Sequence, residues 1–306
     1  LMKMKAKLCL GSAQFGMEYG ITNNKGKTPE TEVKKIILEA SRNGIEYIDT
    51  AQAYKKSEEL LGLSWPINHN FKVISKLACQ EINYRNIDYK DLINLWDQQF
   101  ICSLKNLKLK YLEGFLIHNS SNLLGPLGSI IIDWLESLKE RKLVNRIGVS
   151  IYESEELENI PLDRLEIVQL PLSIYDQRMI NNGTISRLSK MNKSIHVRSI
   201  FLQGLILQEY TYWPSFFSED FLSHHNKFYN KTKECGMTIT EKVFEFYTGL
   251  ENIEAILIGV TDYNEFAKIL SSWNDIKFKR NLILSKNFDI WSWDNDEELD
   301  PRYWPR

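Results

Sequence analysis

Eight short apolar runs, at 6–11, 45–50, 71–77, 111–118, 144–150, 166–171, 195–202 and 254–260, recur along the chain with helix-period sequence between them. Runs this short read as strands covered by helices on their outer side. An open doubly wound sheet can be built from the same alternation. Eight strand-helix units favour closure, so the expected fold is α/β, a (β/α)8 TIM barrel with long loops at the C-terminal face of its strands. No polar or Pro/Gly-rich linker interrupts residues 1–306, which read as a single domain.

The intervals carry their own signals. In "PETEVKKIILEASRNG", Val33, Ile36, Ile37 and Ala40 share one helical face, Thr28 is placed to cap, and Pro29 suits the first turn. Gly44 ends that helix before the next strand. "YKDLINLWDQQFICSLKNL" brings Leu92, Leu95, Trp96 and Phe100 near one stripe, and "SIIIDWLESLKE" does the same with Ile131, Trp134, Leu135 and Leu138.

Composition narrows the function classes. The 38 basic and 40 acidic residues are mixed along the chain, for a net charge of -2, which speaks against a nucleic-acid footprint. Cys9, Cys79, Cys102 and Cys235 are widely spaced without a CxxC pair, as expected in a reducing compartment. We read no signal peptide or transmembrane run and expect a cytoplasmic protein without membrane or nucleic-acid partners. His69, His118, His196, His224 and His225 lack metal-ligand spacing, so no metal is expected, and no GxSxG elbow supports a hydrolytic triad.

Polar residues at strand ends stand out against this background. Asp49 and Tyr54 lie in "YIDTAQAY", Lys76 closes "FKVISK" and His118 closes "LEGFLIH". In a parallel barrel these ends converge on one face. A free phenol has a pKa near 10, and a nearby ammonium favours its ionised form, so Lys76 is expected to lower the pKa of Tyr54. A neutral His118 could donate to a carbonyl or a developing alkoxide.

The segments "GSAQFGMEYGI", "IDTAQAYKKSEELLG", "KVISK", "LIHNS", "IGVS", "VQLPLS", "RSIFLQGLIL" and "ILIGVTDYNEF" follow one another in the order seen in aldo-keto reductases. The chain resembles that family over nearly its whole length. The resemblance implies carbonyl reduction, with Tyr54 as proton donor, Lys76 as its activator, Asp49 as the lysine's ion partner and His118 orienting the carbonyl. It also implies a nicotinamide cofactor extended across the barrel mouth, in keeping with the lack of a GxGxxG after the first strand. Ser150 and Gln169 match the carboxamide-binding positions, Phe201 the ring that stacks on nicotinamide, Gly204 and Leu205 the pyrophosphate neighbours, and Gly259, Thr261 and Asn264 the adenosine-phosphate neighbours.

Departures from the family pattern bear on the cofactor. Ile151 follows Ser150 where many members have asparagine, Glu265 stands where a basic residue is common, and Ile269 where asparagine is frequent. Family membership favours NADPH; Glu265 leaves NADH open unless Lys268 compensates.

The substrate is expected to be a small carbonyl compound. "GSAQFGMEYGITNNKG" is similar to a branch associated with bacterial polysaccharide and modified-sugar pathways, which points to a sugar or sugar nucleotide. Arg178, Arg187, Lys190 and Arg198 are candidate phosphate anchors. The aromatic stretch 204–220, with Tyr212 and Trp213, and the segment 285–306, with Trp291, Trp293 and Trp304, read either as packed cover or as substrate contact. A monomer is the default assembly, with dimerisation open. Two other functions fit the residues: a reductase-like binding or regulatory subunit with little turnover, and a Schiff-base aldolase using Lys76.

Overall fold

Each apolar run forms a strand, and the strands close on themselves. The computed structural model describes residues 6–78, 88–250, 252–279 and 288–305. Its strands are β1 (Lys7–Gly11), β2 (Tyr47–Asp49), β3 (Lys72–Leu77), β4 (Leu112–Ile117), β5 (Val144–Ser150), β6 (Ile167–Pro171), β7 (Ser194–Arg198) and β8 (Ile253–Ile258). All neighbours pair in parallel and β8 returns to β1, giving the expected eight-stranded closed barrel. Cys79 lies outside the described residues.

Around the barrel run α1 (Ala13–Gly16), α2 (Glu30–Arg42), α3 (Ser57–Ser64), α4 (Tyr89–Leu107), α5 (Gly125–Glu140), α6 (Arg178–Asn181), α7 (Thr184–Lys190), α8 (Glu219–Glu234), α9 (Ile239–Thr248), α10 (Tyr263–Lys279) and α11 (Asp296–Leu299). The regular alternation fails once. Between β5 and β6 the chain makes only two short 3-10 turns, Ser154–Leu157 and Leu162–Arg164. Pro161, just before the second turn, lacks the N–H a continuing helix needs.

Helix faces follow the sequence pattern closely. Val33, Ile36, Ile37 and Ala40 of α2 are fully buried, and the same holds closely for Ile131, Trp134, Leu135 and Leu138 of α5. Truncating one such core Ile or Leu to Ala costs about 2–5 kcal/mol. Gly44 ends the α2 unit with φ 71°, a conformation favoured by glycine. The expected Thr28 cap is corrected: Pro29 takes the N-cap position, and the Thr28 hydroxyl instead donates to the Thr261 carbonyl at 3.0 Å. That bond ties the loop after β1 to the loop after β8.

Side-chain alternation divides the packing into two layers. Cys9, Tyr47, Ile74, Leu116, Ile167, Ala255 and Leu257 form an interior cluster, while a larger apolar layer fills the space beneath the helices. A Cβ on Gly114 would come within 2.6 Å of Ile74 Cδ1 and 2.9 Å of Ile167 Cδ1. The interior is therefore a packed core. On β3, Ser75 points outward to Glu58 of α3 at 2.6 Å, whereas its neighbour Lys76 points inward.

The seventh strand is shorter than expected. It stops at Arg198, and Ser199, Leu202, Gln203 and Gly204 all have positive φ, at 61°, 48°, 52° and 94°. A strand cannot continue through these left-handed residues.

Candidate active site

Lys76 and Asp49 meet inside the top of the barrel because β3 and β2 present alternate side chains inward. Lys76 Nζ donates to Asp49 Oδ1 at 2.5 Å and to the Thr50 carbonyl at 3.0 Å, and both side chains are buried. The other oxygen, Asp49 Oδ2, accepts from Gln169 Nε2 of β6 at 2.8 Å. Each charge thus has a charged partner and at least one further hydrogen bond, the condition under which a buried pair is tolerable.

Tyr54 lies in the turn that opens α3. Its backbone N–H donates to Ala51 O and its carbonyl accepts from Ser57 N, both at 3.0 Å. The turn can sit there because residue 16 is glycine: a Cβ at Gly16 would lie 1.7 Å from Tyr54 O. The Tyr54 ring is 5.4 Å from Lys76 Nζ and meets the His118 ring edge-on, with centroids 5.6 Å apart.

The expectation for the Tyr54 phenol is reversed. Burial raises its pKa, the Asp49 carboxylate raises it further, and Arg198 opposes both. The Lys76 ammonium is already engaged by Asp49 and Thr50. Tyr54 therefore remains a protonated donor through neutral pH. Burial, aided by the positive charges of Lys76 and Arg198, lowers the His118 imidazole to about 3, keeping it neutral.

A cleft opens above this group. Its wall runs from Gly11, Ser12 and Gln14 after β1, past Asp49, Tyr54 and Gln169, across Arg198, Phe201 and Gly204 after β7, to Gly259, Thr261 and Glu265 after β8. The length of this wall suits an extended dinucleotide lying over several strand ends. Gln169 has its amide N–H occupied by Asp49, leaving its carbonyl oxygen as an acceptor in the wall. Thr261 donates through both its N–H and its hydroxyl to Glu265 Oε2, at 2.7 Å each. Lys25, on the loop after β1, is paired with Asp262.

Other expected cofactor positions lie back from the wall. Ser150 pairs in register with Gln169 but is buried outside the cleft, Leu205 is fully buried, and Asn264 is exposed at the start of α10. Phe201 reaches the wall while its ring packs edge-on to Phe244 of α9, at 6.0 Å. Ile269 is buried beneath α10 and Lys268 is exposed.

The aromatic stretch is chiefly a packed cover. Trp213 is buried, donates to Leu205 O at 2.9 Å and stacks on His225 at 4.5 Å. His225 bridges Tyr175 Oη at 2.6 Å and Gln208 O at 2.7 Å. Trp293 stacks on Phe221 at 4.8 Å, and Trp304 is buried. None of Tyr212, Trp213, Trp291, Trp293 or Trp304 lines the cleft.

Residues 14–23 contribute more than the sequence suggested. Gln14, Tyr19, Thr22 and Asn23 all line the cleft, and Thr22 Oγ1 donates to Gln203 O at 2.8 Å across the mouth. The available signal was Gly16, whose missing side chain permits the close approach to Tyr54.

A closed (β/α)8 barrel with a buried Lys-Asp pair, a tyrosine and a histidine at its strand ends defines a barrel with an enzyme-like site. The aldo/keto reductase family model matches residues 7–281. The chain belongs to that family, and the family identifies it in general terms as an oxidoreductase that uses a nicotinamide cofactor. Solved structures agree in fold. An aldo/keto reductase from Klebsiella pneumoniae, in complex with NADP and acetate, is 15% identical with a TM-score of 0.69, covering 98% of this chain and 99% of that one. An aldo-keto reductase from Bacillus halodurans, in holo form, is 15% identical with a TM-score of 0.67, covering 95% and 93%. The glycerol dehydrogenase from Gluconobacter oxydans is 19% identical with a TM-score of 0.61, covering 92% and 93%. No curated protein matches the chain. Among the described residues, no helix is long and apolar enough to cross a membrane.

Proposed function

We propose that the protein reduces an aldehyde or ketone to the alcohol, with Tyr54 donating the proton to the carbonyl oxygen. The observation carrying this reading is the meeting of Tyr54, Lys76, Asp49 and His118 at one end of the barrel, with Tyr54 held protonated and His118 held neutral. A bound nicotinamide supplies the hydride. Lys76, fixed by Asp49, places positive charge beside the phenol and stabilises the negative charge it acquires as the proton leaves. Neutral His118 donates a hydrogen bond to the carbonyl oxygen and fixes its direction toward Tyr54.

The wall residues Gln169, Phe201, Gly204, Gly259 and Thr261 would hold the cofactor. Glu265 bears on which one. Its carboxylate lines the cleft beside Thr261 and would repel a 2′-phosphate, whereas ribose hydroxyls can donate to a carboxylate. We therefore favour NADH over the NADPH that family resemblance alone suggests. The substrate reading remains a carbonyl-bearing sugar or sugar nucleotide, resting on the opening segment's resemblance to a branch associated with bacterial polysaccharide and modified-sugar pathways.

Single-turnover oxidation of NADH and NADPH, with a panel of aldehydes, ketoses and oxidised sugar nucleotides, tests this reading. The wild type should show carbonyl-dependent oxidation, and Tyr54→Phe should lose about 10²–10⁴-fold in rate with cofactor binding retained. Tight cofactor binding without turnover across the panel would favour a binding subunit. Borohydride trapping of substrate on Lys76 would favour the aldolase.

A further inference from the structure

Arg198 ends β7 at the cleft wall, opposite Tyr54 across the barrel mouth. Among the described residues, four arginines are partly buried: Arg146, Arg164, Arg178 and Arg198. The first three are each held by carboxylates: Arg146 by Glu113 and Glu254, Arg164 by Asp133 and Glu136, and Arg178 by Asp176 and Asp296. Arg198 has no such ion pair among the described residues. Its Nη2 donates to Ile151 O at 2.9 Å and its Nη1 to Ser199 Oγ at 3.3 Å. Those neutral contacts use two of the five N–H groups a guanidinium carries.

The guanidinium is also held in place. It lies over the Tyr152 ring at 4.0 Å, and Arg302 near the C-terminus lies over the same ring at 4.1 Å. Arg302 is itself anchored by Asp300 and Glu153 at 2.6 Å each. Tyr152 thus serves as a platform, fixed from the C-terminal segment, for a cation whose remaining N–H groups are free to face the cleft. A partly buried charge held this firmly without a counter-ion calls for an anion from outside the protein.

We propose that Arg198 is the substrate-specificity residue of this site and binds a carboxylate on the carbonyl compound being reduced. The proposal rests on the reductase reading and names its substrate class. The positive field of Arg198 reaches both Tyr54 and His118, so a carboxylate bound there lies within the same small site as the reacting carbonyl. Among the described residues of the cleft wall Arg198 is the only lysine or arginine, and Glu265 and Asp49 line it too, so the anion held at Arg198 itself is better a monoanion than a phosphate dianion. The planar fork of arginine can grip both carboxylate oxygens.

The test compares isosteric ligands by binding and by turnover. Calorimetry with 4-carbamoylbenzoate and terephthalamide, with and without cofactor, is run on the wild type, Arg198→Met and Arg198→Lys. The wild type should bind the carboxylate about tenfold or more tightly than the amide. Arg198→Met should erase that preference, Arg198→Lys should retain part of it, and the affinity for NADH should stay unchanged. With 4-carboxybenzaldehyde and 4-formylbenzamide as substrates, Arg198→Met should lower kcat/KM for the first about tenfold more than for the second, the extra loss appearing in KM. Equal affinity of the wild type for acid and amide overturns the proposal. So does a loss of NADH affinity in Arg198→Met, which assigns the arginine to the cofactor. Carboxylate preference without any carbonyl turnover would leave the anion site standing and count against the reductase reading alone.

Discussion

The two ends of the barrel both carry paired charge, buried at the rim and partly exposed at the floor, and use it differently. At the floor, where the strands begin, Tyr47 Oη donates to Glu254 Oε1 at 2.6 Å, Arg146 Nη1 donates to Glu254 Oε2 at 2.9 Å, and Arg146 Nη2 lies 3.1 Å from Glu113. Ser194 donates to Glu254 as well. Glu113 and Glu254 share one arginine, Arg146, whose Nε is buried without a hydrogen-bond partner. At the rim, Lys76 and Asp49 pair one to one, while among the described residues the Tyr54 hydroxyl has no hydrogen-bond partner and Arg198 no carboxylate. The difference lies in position: the floor charges pair with one another away from the cleft, whereas Tyr54 and Arg198 line it, where an unengaged donor can serve binding and chemistry.

Breaking the rim pair should give the largest effect. Lys76→Met leaves the Asp49 carboxylate buried without its cation and should cost about 3–5 kcal/mol in urea-induced unfolding, together with most of the turnover. Adding Asp49→Leu should recover much of the stability without the activity. Recovery of both would remove the contrast between the two ends.

The corresponding change at the floor is smaller and purely structural. Glu254→Gln should cost about 2 kcal/mol, reduced by the partial exposure of this group, with kcat and KM unchanged. A kinetic defect equal to the stability loss would show that the floor is coupled to the site.

Acid should separate the ends without mutation. Burial opposes ionisation of Glu254, but His196, Arg146 and Tyr47 outweigh it and hold its carboxyl well below the usual range. A depressed folded pKa contributes stability above the unfolded value, so the melting temperature should fall as pH drops below about 4.5. At the rim, His118 lowered to about 3 and Tyr54 raised above its ordinary value do not titrate near neutrality. Rates of the chemical step in the reducing direction, from single-turnover traces at saturating cofactor, should be level from about pH 5.5 to 8.5. Alcohol oxidation, which needs the phenolate, should rise with pH.

The smallest effect is expected in the cover. Tyr212 is 73% exposed and outside the cleft wall, so Tyr212→Ala should change stability by less than about 0.5 kcal/mol and leave KM unaltered. A raised KM would return the aromatic loop to the substrate.

Much of the barrel was legible from periodicity. Val33, Ile36, Ile37 and Ala40 identified a buried face because i, i+3 and i+4 positions share a side of a helix. Asp49, Lys76 and His118 stood out because polar residues closing apolar runs share one end of a parallel barrel. Two features escaped the same reasoning. The early end of β7 depends on positive φ at Ser199, Leu202 and Gln203, residues that usually avoid it. The direction of the Tyr54 shift depends on burial outweighing charge once Lys76 is committed to Asp49.

The sequence by itself determined the strand positions, the helix faces and the family, because each follows from local spacing or from motifs read in order. Only the tertiary structure decided that Trp213 packs rather than binds, that Gln14 and Tyr19 join the cleft, and that Arg198 alone among the partly buried arginines described lacks a carboxylate. Those outcomes depend on which side chains meet in three dimensions and whether a charge is already satisfied, and local periodicity records neither.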